Sequence, residues 1–384
     1  MLREAGLNDP RRVELEDLGR LPLLDRHVIA RHGLDAFLID GAEGLFPVVT
    51  SGSTGTPGRF LRSRAEESDY SARWWRVYRA YGCGMRDPQV NVATAQKRDR
   101  SGPIARLRQL GVLPRVERLD AHAPPEHVVQ RIKAVHPPML TGYAGAIEAL
   151  AEHVVATGAQ LPQPRAVFCT AMEVTEHCLE VTEAAFSAPA VEVYVTNEFG
   201  VIAWACPIRR GLLHVNDDAF ILEVVDPEGR PVPPGELGEV VVTSLSLYAM
   251  PLIRYRMGDM ARRVAERCAC GRGLGLMTRV QGRTAHAIRR SNGAVITTPV
   301  ITSMLGRARA DEWVRGFQVR EEGARSLRFL LDVSRRPSDE QRIVLRDTVH
   351  AAIGDEFRIA FEDVDGIPSA PNGKRQFLVP YDKR

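Results

Sequence analysis

The segment Thr50-Ser51-Gly52-Ser53-Thr54-Gly55-Thr56-Pro57-Gly58 concentrates hydroxyls and bare backbone N–H groups in one short loop. Such density suits a polyphosphate. Glycine lets the backbone approach an anion closely and take positive φ. Successive N–H groups then form an anion nest, with serine and threonine hydroxyls as further donors. The loop lacks the Gly-Lys-Ser/Thr ending of a Walker loop. Clusters of Ser, Gly and Pro are also ordinary surface turns, so the phosphate reading depends on partner motifs further along the chain.

Such motifs are present, in a definite order. Tyr194-Val195-Thr196-Asn197-Glu198-Phe199-Gly200 comes after an apolar stretch, and Tyr255-Arg256-Met257-Gly258-Asp259 after another. Gly282-Arg283 comes next, and Gly373-Lys374 stands near the C-terminus. In this order the pieces resemble the adenylate-forming enzymes, the superfamily of acyl-CoA synthetases, adenylation domains and luciferases. The likeness is greatest to the phenylacetate–CoA ligase branch. It is carried by residues 50–55, 198–203 and 234–245, and continues through residues 251–259 and Cys268-Ala269-Cys270-Gly271-Arg272.

The resemblance implies ATP-dependent activation of a carboxylic acid, aryl or arylacetic by family. A carboxylate is a poor acyl donor because its leaving group is oxide or hydroxide. Attack on the α-phosphate of ATP makes an acyl-AMP, whose AMP departs readily, and the acyl group then passes to a thiol such as coenzyme A. Charge control on the phosphates and a cation near the carboxylate are the needs of such a site. Ser51, Gly52, Ser53, Thr54 and Gly55 are the implied phosphate loop, joined by Thr56. Glu198 is the implied Mg²⁺ ligand, consistent with magnesium's habit of taking one or two carboxylates beside phosphate and water. Tyr194 is implied to stack on adenine. Asp259 offers two acceptor oxygens to a ribose diol, with Arg283 beside the same ribose or the phosphate. Lys374, a compact charge on a long stem, is the implied catalytic lysine of adenylation. Tyr143, Glu173, Asn197 and Trp204 are candidates for the acyl pocket.

The chain also departs from the family pattern. Val195 and Asn197 replace the glycine and the hydroxyl residue of Tyr-Gly-x-Ser/Thr-Glu, on the acyl side of the motif. Thr56 stands where a lysine is usual, with Arg59 nearby, and Ala285 and His286 occupy the positions of the hinge aspartate. Two alternatives therefore accompany the ligase reading: acyl transfer to a carrier protein or an amine, and a nucleotide-binding accessory protein without ligase activity. Cys206, His214, Cys268 and Cys270 form either a structural Cys₃His zinc site or a set of reduced thiols. Cys83, Cys169 and Cys178 read as small buried hydrophobes.

The elements that must position these residues alternate between strand-like and helix-like, an α/β pattern. Ser63 and Glu66 form a capping box that opens a helix toward Gly82. Val128, Val129, Ile132 and Val135 share one helical face, as do Ile147, Leu150, Ala151 and Val154. Residues 166–169 and 190–195 read as strands around a helix that begins at Thr175, which places Glu198 just beyond a strand end, where ligands collect in such sheets. Residues 220–225 and 239–244 read as strands of a small β-rich subdomain, turned at residues 226–230. A capped helix spans Asp339 to Ile353, from the Ser338/Gln341 box to Gly354. The expected fold is therefore α/β. A large N-terminal domain (1–282) of mixed sheets flanked by helices precedes a small mobile α+β C-terminal domain (283–384) that carries Lys374.

The 384 residues, 44% hydrophobic, are ample for two cores. The net charge of +3 and the scatter of basic residues argue against a nucleic-acid partner. The densest basic run, residues 96–100, reads as a solvated loop. No run approaches the roughly 20 apolar residues of a membrane span. Neither a signal-peptide layout nor a disulfide framework is evident, so a cytoplasmic protein is expected. The expected partners are ATP and a small carboxylic acid, with a carrier protein as an alternative and a homodimer as a further expectation.

Overall fold

The structure is a computed structural model that describes residues 14–49, 58–93, 116–283, 288–291, 295–296, 298–367, 377–379 and 381. The loop at 50–57, the basic run at 96–100, Ala285, His286 and Lys374 lie outside the described residues. The chain divides into two compact units, Met1–Met257 with Ala261–Val280, and Gly258–Met260 with Gln281–Arg384.

Among the described residues of the first unit, a 3-10 helix (Leu15–Arg20) is followed by a short helix α1 (Arg26–His32), a 3-10 turn (Leu34–Phe37) and the strands β1 (Phe46–Val49) and β2 (Arg59–Arg62). These strands pair antiparallel, with Val49 opposite Arg59, so both ends of the glycine loop are pinned side by side. Helix α2 (Arg64–Ala80) is next, and its Ser63/Glu66 capping box is formed in both directions. Then come β3 (Gln89–Val92), β4 (Val116–Leu119), α3 (Pro125–Val135), β5 (Met139–Tyr143), α4 (Ala144–Thr157), β6 (Ala166–Thr170), α5 (Glu176–Phe186) and β7 (Ala190–Thr196). The remaining strands are β8 (Gly200–Ala205), β9 (Leu212–Val215), β10 (Phe220–Val225), β11 (Gly238–Ser244), β12 (Tyr255–Ala261), β13 (Arg263–Val264) and β14 (Leu276–Thr278).

One nine-stranded sheet, ordered β13-β14-β9-β8-β7-β6-β5-β3-β4, organises this unit. Its β4-β3-β5-β6-β7 half is parallel. Its inner strands β5, β6 and β7 are largely buried on both faces and mostly apolar, whereas the edge strand β4, Val-Glu-Arg-Leu, is only partly buried. Alternate residues serve different cores. Val167 and Cys169 of β6 face helices α3–α5, whereas Ala166 and Phe168 face α2. Beyond β7 the order turns antiparallel through β8, β9, β14 and β13. The sequence pattern changes visibly only at Phe220, but the change of direction comes earlier, at β8. Its run Gly-Val-Ile-Ala-Trp-Ala is buried on both faces and reads like a parallel strand. The sheet β10-β11-β12 supplies the small β-rich part.

The second unit is α+β. It has β15 (Ile288–Arg289), β16 (Val295–Ile296), α6 (Thr298–Arg307), β17 (Val314–Gly323), β18 (Ser326–Val333), α7 (Asp339–Ile353), β19 (Arg358–Val364) and β20 (Leu378–Val379). The sheet order is β19-β18-β17-β20. Phe329 and Leu331 of the sheet pack with Val349 and Ile353 of α7. The Ser338/Gln341 capping box and the Gly354 stop of α7 are present as expected. Among the described residues no helix is long and apolar enough to cross a membrane.

Glu66 joins helix capping to tertiary structure. Its buried carboxylate accepts from the Ser63 N–H (2.6 Å) and from the N–H groups of Tyr248 (2.6 Å) and Ala249 (2.8 Å). Burial alone raises its pKa, but these backbone donors and the Ser63 hydroxyl outweigh it and hold the group below the ordinary 4.5. A depressed folded-state value adds stability above the unfolded-state value, and that stability is lost as pH falls through the folded one. Glu66→Gln is expected to cost about 1–2 kcal/mol near neutral pH. In urea titrations the gap to wild type closes as the pH is lowered below 4.5. A gap that does not change with pH contradicts this.

Candidate nucleotide and acyl site

The parallel strands finish at a common edge. Tyr143 at the end of β5 is in register with Thr170 at the end of β6, and Thr170 with Val193 of β7. The edge is stitched by the Thr170 hydroxyl, which donates to the Gly142 carbonyl at 3.0 Å. Tyr143, half-buried, is the N-cap of α4. Glu173, half-buried, lies in the loop after β6. That loop starts at Ala171, whose φ of 64° is left-handed for a residue other than glycine. Such strain persists only where the surroundings enforce it. Here Arg279 donates to the Val174 carbonyl and reaches Glu192 (2.5 Å) and Glu176 (2.7 Å). Glu192 is buried on β7, which raises its pKa, and the Arg279 charge opposes that rise.

On β7, Tyr194 is almost fully buried at a bulge, and the strand turns at Asn197-Glu198-Phe199 into β8. Asn197 is exposed and Glu198 half-exposed. Phe199 anchors the turn from below, against Phe220 and Tyr255, each at 5.8 Å between ring centroids. Gly200 closes the turn with φ +80°, and a Cβ there would sit 2.5 Å from the Tyr70 ring. Only glycine meets both demands. Arg62 and Arg73, both nearly fully buried, donate to carbonyls of this turn. Tyr143, Glu173, Tyr194, Asn197 and Glu198 are thus gathered along one edge, at the C-terminal strand ends where open α/β sheets bind ligands.

Trp204 is not part of that edge. It pairs with Val193 and packs on the α2 face of the sheet, whereas Tyr194 belongs to the opposite core. Its ring, fully buried, lies 5.2 Å from His214 and 5.2 Å below the Arg272 guanidinium. The acyl-pocket expectation for Trp204 meets a core residue instead, because the alternation along β8 turns it away from Tyr194.

Asp259 lies on β12, after Gly258. It is buried, bridges Arg283 through the backbone, and accepts from Arg283 Nε at 2.9 Å. The two residues expected beside one ribose are therefore neighbours within the second unit.

The Cys/His set is also assembled. Cys206 comes after β8, His214 lies on β9, and Cys268 and Cys270 lie in the β13–β14 connection, brought over by the pairing of β14 with β9. Their ligand atoms all fall within 4.8 Å of one another. Cys206 and Cys268 sulfurs are 3.5 Å apart, and Cys270 Sγ is 3.2 Å from His214 Nε2. Burial pushes the Cys270 thiol up, but hydrogen bonds from the Arg272 backbone and side chain and from the other two thiols bring it down to about 7. Burial, with the Arg272 charge, pushes His214 down and keeps it neutral. A thiolate and a neutral imidazole are the forms that bind metal. Cys83, Cys169 and Cys178 are buried in apolar surroundings, as expected.

No protein-family model matches the chain. The chain is 44% identical over 80 residues to the phenylacetate-coenzyme A ligase of Thermus thermophilus, covering 21% of this chain and 18% of that protein. It is 22% identical over 258 residues to Protein CapK of Staphylococcus aureus, covering 66% of this chain and 55% of that protein. The chain thus spans about half or less of the length of these curated relatives. Among solved structures, 2-hydroxyisobutyryl-CoA ligase in the postadenylation state, in complex with R3-HIB-AMP, superposes with a TM-score of 0.77 at 20% identity. That match covers 100% of this chain and 84% of the other. The fold is that of the 2-hydroxyisobutyryl-CoA ligase structure, and the likeness to phenylacetate-coenzyme A ligase is one of sequence over 80 residues.

Proposed function

We propose that this protein is an AMP-forming ligase that activates a carboxylic acid with ATP and passes the acyl group to a thiol, coenzyme A first among the acceptors. The observation that carries the reading is the gathering of Tyr143, Glu173, Tyr194 and Glu198 on one strand edge of a fold shared with a CoA ligase bound to an acyl-AMP. In this reading Tyr194 covers the adenine and Asp259, steadied by Arg283, accepts from the ribose hydroxyls. The 51–55 loop binds the phosphates, and the second unit is a mobile domain that delivers Lys374. The acid, aryl or arylacetic, lies toward Tyr143, Glu173 and Asn197.

The reaction divides into two halves. A carboxylate oxygen attacks the α-phosphorus, the bond to the β-phosphate oxygen breaks, and pyrophosphate leaves. Negative charge grows between carboxylate and α-phosphate, the place at which a fixed cation lowers a barrier most, and Lys374 is the residue proposed to supply that cation. The thiol then attacks the acyl carbon, its proton is lost, and AMP leaves. Glu198 fits a magnesium ion, being a half-exposed carboxylate on a fixed turn, and bound magnesium supplies charge neutralisation on the phosphates. Cys206, His214, Cys268 and Cys270 fit a tetrahedral structural zinc, which would fasten the β13–β14 connection to the end of β8.

A pyrophosphate-release screen over aromatic, arylacetic, aliphatic and amino acids tests the proposal. Release is expected with an aryl or arylacetic acid, and Lys374→Ala lowers it at least about a hundredfold with nucleotide affinity near wild type. Completion with coenzyme A, a pantetheinylated carrier protein or an amine identifies the acceptor. Tight ATP binding with no acid-stimulated release contradicts a ligase. For the thiol cluster, elemental analysis is expected to find stoichiometric zinc that Cys268→Ser loses. Metal-free protein with freely titrating thiols overturns the zinc assignment.

A further inference from the structure

The turn that carries Glu198 is held by two buried guanidinium groups. Arg62, at the end of β2, donates through Nη2 to the carbonyls of Asn197 (2.6 Å) and Glu198 (3.2 Å). Its other terminal nitrogen pairs with Glu67 at 2.9 Å, and its plane lies over the Tyr70 ring. Arg73, on α2, donates to the Phe199 carbonyl at 3.1 Å and pairs with Asp69 at 2.8 Å. Three successive carbonyls are thus each bound by a charged donor. Arg62 and Arg73 are each only 5% exposed.

A hairpin turn of this kind needs no such support, because its carbonyls are ordinarily hydrated. Burying guanidinium groups is costly, whereas charge-assisted bonds to carbonyls are short, strong and directional. The arrangement therefore sets position. Arg62 is also covalently close to the glycine loop, since β2 begins at Arg59 directly after it and is pinned to β1 at Val49. A single side chain joins the strand that leaves the loop to the backbone that aims the carboxylate.

We propose that Arg62, seconded by Arg73, is a positioning residue that holds the Glu198 carboxylate in line for a divalent cation bound to nucleotide phosphates. The proposal rests on the metal reading of Glu198, and the test separates the two. Mn²⁺ affinity in the presence of α,β-methylene-ATP is measured by the EPR signal of free Mn²⁺. Nucleotide affinity is measured without metal by calorimetry, and amide exchange at residues 197–201 is followed in the unliganded protein. Arg62→Met is expected to weaken Mn²⁺ binding about tenfold, the order found when an outer partner of a metal ligand is removed. Metal-free nucleotide affinity stays near wild type and the turn amides exchange faster. Arg62→Lys keeps the charge beside Glu67 but cannot span both carbonyls and the carboxylate. It is expected to fall between wild type and Arg62→Met, and it carries the test if Arg62→Met does not fold. Glu198→Gln is the reference. If it loses Mn²⁺ affinity while both Arg62 variants keep it, the positioning role is overturned and the metal reading survives. If Glu198→Gln also binds Mn²⁺ normally, both are overturned. Equal losses of metal-bound and metal-free affinity in the Arg62 variants reduce Arg62 to a fold residue and overturn the proposal.

Discussion

Buried guanidinium groups that donate to backbone carbonyls are the constraint on which the first unit rests. Arg254 is the fullest case. It is almost inaccessible, sits at a left-handed φ of 48°, and donates to the carbonyls of Gly19 (3.1 Å), Leu21 (2.8 Å) and Gly229 (2.7 Å). Glu223 takes its remaining face in a bidentate pair at 3.0 and 3.1 Å. The five N–H donors of a guanidinium form a rigid fork, so one side chain fixes the N-terminal segment, the β10–β11 turn and the start of β12 together. Arg279 does the same for the loop after β6, and Arg62 and Arg73 for the turn after β7. Each charge has a carboxylate partner, which limits the cost of its burial.

This constraint matters because Glu173, Asn197 and Glu198, among the residues proposed for the site, sit on loops. A rigid sheet with variable loops is a common way to build a site, but a loop aims a side chain only as well as it is held. The inner parallel strands, largely buried on both faces, end in register, and the guanidinium groups carry that order past the strand ends. The left-handed Ala171 and the crowded Gly200 are two places where the fit between loop and support is tight. Nucleotide and acyl chemistry, as proposed, draws on both loops at once.

Much of this architecture was legible in the residues. The Ser63/Glu66 and Ser338/Gln341 boxes and the Thr175 cap mark true helix starts, because capping is local and its partners lie within one turn. Strands β6, β7, β10 and β11 are evident from apolar runs with turn residues between them. The antiparallel extension through β8, β9, β14 and β13 was not legible. Its turn at Asn197-Glu198-Phe199 lacks the usual glycine or asparagine–glycine signal at its centre, and the partners β9 and β14 are separated by the whole of β10–β13. Cys206, His214, Cys268 and Cys270 could be singled out from sequence, but only that long-range pairing brings them within reach of one another. The supporting roles of Arg62, Arg73 and Arg279 were not legible either, since arginine is mostly exposed in proteins and nothing local marks a buried one. Trp204 illustrates the same limit: its face of the sheet depends on a bulge between Tyr194 and Val195 that no local pattern announces.

The central claim is that a carboxylate oxygen of the substrate bonds to the α-phosphorus of ATP at this site. The most direct test supplies the activated acid with ¹⁸O in its carboxylate and examines the products after thioester formation. The account predicts label in the phosphate of AMP, since AMP leaves with the oxygen that attacked. Label appearing instead in inorganic phosphate beside ADP, or remaining wholly in the acid, contradicts it.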